Sequence, residues 1–263
     1  MADILQEIVA HKRVELEQQK QLVPPRELYA RVERLMADGI TERSMSRALA
    51  SSPYGIIAEF KRKSPSKGWI HEDAQPMDVI PKYAAGGASA LSILTDSRYF
   101  GGTLDFIPQV RASVDIPILR KEFIVDEYQL FEARNAGADA VLLIAADLSK
   151  EECRTLKRTA HELKLEVLLE MHSEPELDYL ECDPDMAGIN NRNLGTFHTD
   201  VANSFHLAEK MATEAVKVSE SGISNPDTVR QLRAAGFRGF LMGECFMKEQ
   251  DPGKALAEFI AAI

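Results

Sequence analysis

The sequence predicts an α/β protein, specifically a (β/α)8 TIM barrel with an N-terminal helical extension. From Gly55 onward, short apolar runs alternate with helical patterns, which is typical of parallel strands joined by crossover helices. Eight such units are found, and eight strand-helix units close a barrel. The chain has 263 residues, of which 45% are apolar, so a single barrel domain accounts for it.

The first fifty or so residues precede the first predicted strand and therefore form the extension. Apolar residues recur at near-helical spacing from Asp3 to Gln21, and Pro24-Pro25 ends that pattern. A second helix is predicted from Arg26 to Met36, with Pro25 in its first turn. We therefore expect a single domain over residues 1–263, with the extension at 1–50 and the barrel at 55–263. The position of the extension next to the barrel top suggests that it covers the site or docks under the loops and helps to bind substrate.

The elements of the barrel are predicted from the apolar runs and the patterns between them. Strands are expected near 55–60, 89–94, 117–121, 139–145, 165–170, 186–190, 216–220 and 238–242. Helices are expected near 76–86, 103–113, 127–136, 149–162, 174–180, 201–211, 226–235 and 252–261.

A weak internal repeat supports this alternation. A glycine that ends a helix, a short turn and a buried strand recur at Gly86–Leu91, Ala136–Val141 and Ala235–Phe240. The repeat by itself fits either a barrel or an open doubly wound sheet. No Gly-x-Gly-x-x-Gly follows the first strand to favour the open sheet.

Three of the apolar strands run directly into charged residues, near Glu59, Lys121 and Glu170. A barrel strand that is covered on both faces has no packing reason to end in a charge, whereas catalytic groups lie at the carboxyl ends of barrel strands. Because residues two apart share a face of a strand, the expected cavity gathers several polar side chains. They are Glu59, Lys61, Lys121, Glu170, Asn190, Arg192 and Glu220.

Simpler interpretations of these charges remain open. Glu59 and Lys61 also fit a solvated ion pair, and of the adjacent cations Arg120 and Lys121 at most one points inward. Glu166 shares the face of Glu170 but lies deeper, which indicates a buried structural carboxylate that needs a partner. His172 is expected near the site rather than in it.

Two features predict an anionic ligand. The loop at residues 61–69 carries four cations in an acidic chain and includes Gly68, which fits a mobile lid, although an ordinary solvated loop is the alternative. Gly222 follows the seventh predicted strand and Gly243 the eighth, where barrels often bind phosphate through backbone N–H groups.

Composition limits the partners. A net charge of -10 argues against nucleic acid and against a membrane surface. The three cysteines share no redox or metal spacing, so we expect free thiols and a cytoplasmic location. The six histidines show no metal spacing, so we expect metal-free acid-base chemistry. The N-terminus shows no leader pattern.

With these residues in place, the chain resembles the indole-3-glycerol phosphate synthase family of tryptophan biosynthesis. The resemblance runs from about Ile4 to the C-terminus. It is carried by Ile57–Ser66, Ala88–Asp96, Pro117–Ile124, Gly188–Leu194 and Val218–Ile223.

The resemblance implies a barrel lyase that needs no cofactor. It would close 1-(2-carboxyphenylamino)-1-deoxyribulose 5-phosphate to indole-3-glycerol phosphate with loss of CO2 and water. It further implies that Lys121 is the general acid at the ribulose carbonyl, that Glu170 is its partner in the dehydration, and that Lys61 assists the leaving oxygen. Association with other enzymes of the pathway is left open.

The same resemblance places further residues in the site. Glu59, Asn190, Arg192, Glu220 and Ser221 would lie around the substrate and Ser64 near it, with Gly222, Gly243 and the start of the segment at Glu244 at the phosphate. Because a carboxylate beside phosphate is repulsive, we expect the backbone N–H of Glu244 to bind while its side chain points away.

Two other functions stay open on the sequence. A phosphoribosylanthranilate isomerase would be expected to use a Cys and Asp pair, and no cysteine lies at an early strand end. A non-catalytic barrel that binds a phosphorylated ligand would keep Gly222 and Gly243 without needing Lys61, Lys121 and Glu170 together.

Overall fold

The computed structural model describes residues 4–193 and 195–263. Asp3, where the first predicted helix begins, and Leu194, the last residue of one resemblance segment, lie outside this range. Within it, eight parallel strands close into a barrel in the order β1-β10-β9-β8-β7-β6-β5-β4, which confirms the predicted fold class. The barrel strands are β1 (Ile56–Phe60), β4 (Ala90–Leu94), β5 (Ile118–Lys121), β6 (Ala140–Ile144), β7 (Glu166–Met171), β8 (Met186–Asn190), β9 (Val216–Glu220) and β10 (Gly239–Met242).

The helices surround this barrel and precede it. The extension contains α1 (Ile4–Leu22), α2 (Pro25–Ala37) and α3 (Met45–Ser51). The outer layer and its loops contain α4 (Pro76–Ala85), α5 (Phe106–Arg111), α6 (Tyr128–Ala136), α7 (Lys150–Glu162), α8 (Ala202–Ala208), α9 (Pro226–Ala234), α10 (Glu244–Met247) and α11 (Pro252–Ala261).

Five local features differ from the sequence prediction. Helices α3 and α10 were missed, as was the two-stranded hairpin of β2 (Lys63–Ser64) and β3 (Gly68–Trp69). The helix expected near 174–180 is a 3-10 helix at Glu174–Cys182, and a further 3-10 turn covers Ala145–Asp147. These segments are too short for hydrophobic periodicity to specify them.

The strand phase inferred from the sequence matches the packing. In β5, Leu119 belongs to the cluster of apolar residues inside the barrel, whereas Ile118 packs in the layer between the barrel and the helices. Arg120 therefore points outward, where it donates to the backbone of Gln129 and lies 3.1 Å from Glu132. Lys121 points inward, as the alternation of the strand requires.

Helix α3 closes the amino-terminal end of the barrel. Met45 and Leu49 are fully buried and pack with Ile57 and Val218 inside the barrel. Glu166, at the first position of β7, accepts hydrogen bonds from the hydroxyls of Ser44 and Ser46 at 2.6 and 2.7 Å. Glu166 is half-buried, whereas the sequence predicted a buried carboxylate. The two serines are the hydrogen-bond partners that such a carboxylate was expected to need.

Replacing Leu49 with alanine is expected to lower the free energy of unfolding by about 2–5 kcal/mol, because it opens a cavity in the barrel core. Leu22→Ala is the matched control, since Leu22 is 82% exposed, and it is expected to change stability by less than about 0.5 kcal/mol. Urea unfolding of both variants measures the difference. Equal losses would show that α3 does not close the core.

Helix α1 lies at the opposite end of the barrel and is held there by ion pairs. Lys12 is 2% exposed and its Nζ lies 3.1 Å from Asp96 and 3.2 Å from Glu122, which follow β4 and β5. Removing one partner of such a buried ion pair is strongly destabilising, so the cluster holds α1 against the carboxyl ends of the strands. The extension thereby contributes Leu5 and Ile8 to the wall of a cavity there.

Candidate active site

A cavity of about 640 Å³ lies at the carboxyl ends of the barrel strands. Its walls include eleven of the twelve residues singled out from the sequence: Glu59, Lys61, Lys121, Glu170, Asn190, Arg192, Glu220, Ser221, Gly222, Gly243 and Glu244. Ser64 is the exception, because it pairs with Gly68 in the hairpin and is buried there. Its neighbour Ser66 lines the cavity instead, and Ser66 accepts a hydrogen bond from Arg192 at 3.1 Å.

Lys121 bridges two carboxylates at the centre of the cavity. Its Nζ donates to Glu170 Oε2 at 2.6 Å and to Glu220 Oε2 at 2.9 Å. Burial by itself would lower the pKa of Lys121, but Glu170, Glu220 and Glu59 overcome that effect and raise it. Lys121 is therefore a charged ammonium at neutral pH.

The two carboxylates on Lys121 titrate differently. Burial by itself would raise the pKa of Glu170, but Lys121 and His172 hold it well below its usual range. Burial raises the pKa of Glu220 to about 7, with Lys121 opposing and Glu170 reinforcing the rise. Such a divergence between neighbouring carboxyl groups is typical of sites that perform acid-base chemistry.

Lys61 forms a separate ion pair with Glu59. Its Nζ donates to Glu59 Oε1 at 2.6 Å, as the shared face of β1 predicted. Gly243 lies against this pair, because a Cβ at that position would come within 2.7 Å of Glu59 Oε1 and 2.9 Å of Glu59 Cβ. The glycine at the end of β10 therefore leaves room for Glu59.

Gly243→Ala is expected to displace Glu59 and with it Lys61, which should lower kcat/KM by about 10²-fold, as misplaced catalytic groups do. Gly195→Ala is the matched control, since a Cβ there meets no described atom closer than 3.5 Å. Steady-state kinetics on both variants measure the effect. Similar kcat/KM values for the two would contradict the steric role of Gly243.

The loops after β9 and β10 form one side of the cavity. Ser221 and Gly222 have positive φ angles of 67° and 77° in succession, and α10 begins directly after Gly243. A positive φ is uncommon for a serine and often marks a functional loop. A side chain at Gly222 would also meet Thr199 Cγ2 at 2.8 Å, so this turn needs glycine.

Glu244 departs from the expectation that its side chain points away from the anion site. The carboxylate lines the cavity, 2.9 Å from Lys67 Nζ and 3.6 Å from Arg192. Burial opposes ionisation, but Lys67, Lys61 and Arg192 lower its pKa. These cations remove the repulsion on which the expectation rested, and Lys67 comes from the loop whose cations suggested a lid.

Sequence reasoning missed the apolar wall of the cavity. Leu5 and Ile8 of α1 line it together with Phe123, Leu142 and Ile144. The position of the extension suggested that it covers the site or docks under the loops, but no sequence pattern singled out Leu5 or Ile8 as residues that line the cavity. The wall provides a place for an apolar ring beside the polar groups.

His172 lies beside the site rather than in it, as expected. Its Nε2 is 3.2 Å from Glu170 Oε1, and it lines a second, smaller cavity and not the first. Among the described residues, no group of three side chains of the types that bind metals is placed to hold an ion. Over the same part of the chain, no helix has the length and apolar character needed to cross a bilayer.

Comparisons with known proteins agree with one another. A family model described as "Indole-3-glycerol phosphate synthase" matches residues 5–259. The chain is 59% identical over 263 residues to the indole-3-glycerol phosphate synthase of Bacteroides thetaiotaomicron, with 100% of each chain covered. It is 42% identical to that of Albidiferax ferrireducens, with 99% of each covered.

Solved structures are similar in fold at low sequence identity. A chain of the tryptophan synthase complex of Pyrococcus furiosus matches with a TM-score of 0.58 at 12% identity, over 79% of this chain and 96% of that one. Thiamine phosphate pyrophosphorylase of the same organism matches with a TM-score of 0.58 at 17% identity, over 80% of this chain and 95% of that one. At these identities the likeness concerns the barrel alone.

Proposed function

The chain belongs to the indole-3-glycerol phosphate synthase family, and from that premise we propose how its own residues divide the reaction. The enzyme is a carboxy-lyase of tryptophan biosynthesis that acts on a phosphorylated small molecule. Its substrate carries a phosphate, a carboxylate on an aromatic ring and a ribulose carbonyl. The phosphate, the aromatic ring and the carbonyl each have a counterpart among the residues around the cavity.

The phosphate binds between the loops after β9 and β10. Support comes from the consecutive left-handed residues Ser221 and Gly222 and from the start of α10 directly after Gly243, all of which line the cavity. The aromatic ring rests on the apolar wall that includes Leu5 and Phe123. This orientation places the ribulose portion of the substrate beside Lys61 and Lys121, between the phosphate loops and the apolar wall.

Ring closure depends on Lys121. The ring carbon that bears the carboxylate attacks the ribulose carbonyl, and Lys121 donates a proton to the carbonyl oxygen as the bond forms. CO2 then leaves, which restores the aromatic ring. The contacts of Lys121 with Glu170 and Glu220 support this role, because they hold its ammonium in one orientation inside the cavity.

Dehydration depends on Glu170 and Lys61. Glu170 removes the proton from C1 of the former ribulose, and Lys61, held by Glu59, protonates the departing hydroxyl. Glu170 suits this task because it is ionised, and a base must be unprotonated before it acts. Asn190 and Arg192 orient the substrate, and Glu220 positions Lys121.

We also propose a single domain and a cytoplasmic location. The domain assignment, residues 1–263, is supported by α1, which lines the cavity and is ion-paired to the barrel through Lys12. The cytoplasmic location is supported by the unpaired cysteines Cys153, Cys182 and Cys245.

The observation that carries the proposal is the convergence of Lys61, Lys121 and Glu170 on one cavity. The test follows indole formation by ultraviolet absorbance from the synthetic carboxyphenylamino substrate, in the presence of a chelator and without added cofactor. We expect turnover under these conditions. Turnover that requires an added metal or cofactor, or a product without the indole spectrum, would contradict the proposal.

A further inference from the structure

Glu170 and Glu220 share one lysine but differ in their other neighbours. Both side chains are at most 4% exposed, and each has its Oε2 within 2.9 Å of Lys121 Nζ. The Oε1 of Glu220 has no hydrogen-bond partner among the described residues and lies near the backbone of Gly188. The Oε1 of Glu170 lies 3.2 Å from His172 Nε2.

His172 is held in place by a second carboxylate. Its Nδ1 lies 3.5 Å from Glu176 Oε2, and the same oxygen accepts a hydrogen bond from the backbone N–H of His172 at 2.8 Å. Ser173 Oγ donates to Glu176 Oε1 at 2.8 Å, so Glu176 is itself fixed. The imidazole therefore lies between two carboxylates at ion-pair distance, with neither ring nitrogen in hydrogen-bond geometry and its side chain only 10% exposed.

Other charged groups face His172 from the neighbouring elements. The second cavity, of about 370 Å³, is lined by His172 together with Arg192, His198 and Asp200 from the segment after β8. Lys121 of β5 and Glu220 of β9 lie beyond Glu170. The two carboxylates in contact with the ring are its nearest charged partners, and they favour a protonated imidazole.

Lys121 and a charged His172 together face three carboxylates, those of Glu170, Glu176 and Glu220, so one additional proton is needed to balance the charge. We propose that His172 is a positioning residue whose positive charge keeps Glu170 ionised and aimed at the substrate, so that the additional proton goes to Glu220. This inference rests on the proposed role of Glu170 as a base. It makes His172 the reason that one of two similar carboxylates removes the proton.

The titration of the groups agrees with this arrangement. Burial by itself would lower the pKa of His172, but Glu170 and Glu176 raise it to about 10. The pKa of Glu170 is well below its usual range while that of Glu220 is about 7. At neutral pH, Glu170 is therefore ionised and Glu220 is partly protonated.

The test compares His172→Gln, which keeps an N–H donor but removes the charge, with His172→Lys, which keeps a charge. Loss of the cation raises the pKa of Glu170, so the acidic limb of the kcat–pH profile should move to higher pH in His172→Gln. An opposite charge at this distance shifts a carboxyl pKa by about 1–3 units, which is the expected displacement. His172→Lys should return the limb toward its parental position. KM should change little, because His172 does not line the substrate cavity.

His206→Gln is the matched control. Its ring also lies near a glutamate, 3.8 Å from Glu174, but outside both cavities, and its profile should match that of the parent. A His172→Gln profile that superimposes on the parental one would overturn the inference. Glu170→Gln is assayed in parallel: if it keeps the parental kcat, the proposed function of Glu170 fails, whereas an inactive Glu170→Gln beside an unshifted His172→Gln refutes only the role of His172.

A measurement on the parental enzyme covers the case in which the His172 variants do not fold. Nitrogen-15 chemical shifts of the ring, assigned in labelled enzyme, distinguish imidazolium from imidazole. We expect His172 to remain imidazolium at pH 8. A neutral ring at pH 8 would overturn the inference without any variant.

Discussion

Replacing Lys121 with arginine is expected to lower kcat by about 10²- to 10⁴-fold while KM and stability change little. Arginine keeps a positive charge beside Glu170 and Glu220, so neither carboxylate is left buried without a partner. The guanidinium does not give up a proton at ordinary pH, so it cannot act as a general acid. The variant therefore separates proton donation from ion pairing.

Lys121→Ala provides the comparison, because it removes both functions. We expect the same loss of kcat together with a lower free energy of unfolding, of about 3–5 kcal/mol, since two buried carboxylates lose their cation. Single-turnover indole formation and urea unfolding measure the two effects separately. A Lys121→Arg enzyme with near-parental single-turnover rates would remove Lys121 from its role as the acid.

Glu170→Gln is the second change with a large expected effect. The amide cannot accept the proton from C1, so kcat should again fall by about 10²- to 10⁴-fold. Because Lys121 and His172 keep the pKa of Glu170 low, the parental enzyme should retain its activity well below neutral pH, until protonation of Glu170 removes the base. The glutamine variant should show no such titration in its residual activity.

Glu166→Gln is the matched control on the same strand. Glu166 shares the inward face of β7 with Glu170 but lies at the other end of the barrel, bound to Ser44 and Ser46. Its replacement should lower the thermal midpoint and leave kcat unchanged. Equal kcat losses in the two variants would indicate a general effect on the barrel rather than the loss of a base.

The barrel was predictable because its signals are local. The phase of a strand puts neighbouring side chains on opposite faces, so the sequence predicted that at most one of Arg120 and Lys121 points inward. The pairing of Lys61 with Glu59 follows from the same rule. Once eight strands are parallel, their carboxyl ends must meet, which is why most of the candidate site could be placed from the sequence.

The remaining features depend on contacts between distant segments. The attachment of α1 through Lys12 joins residues more than eighty positions apart, and no local pattern indicates it. The side chain of Glu244 was misjudged because Lys67 reaches it from the hairpin. The partners of His172 were likewise outside the reach of sequence reasoning, since its pairing with Glu176 depends on how the chain turns after β7.

A crystal structure with an unreactive substrate analogue tests most directly whether Lys61, Lys121 and Glu170 converge on one substrate. Reduction of the ribulose carbonyl to an alcohol gives a ligand that keeps the phosphate, the carboxylate and the ring but cannot cyclise. We expect its phosphate at Gly222 and Gly243 and its new hydroxyl within hydrogen-bond distance of Lys121 Nζ, with Lys61 and Glu170 on the same ligand. A ligand bound with that hydroxyl away from Lys121, or with its phosphate outside these two loops, would contradict the account.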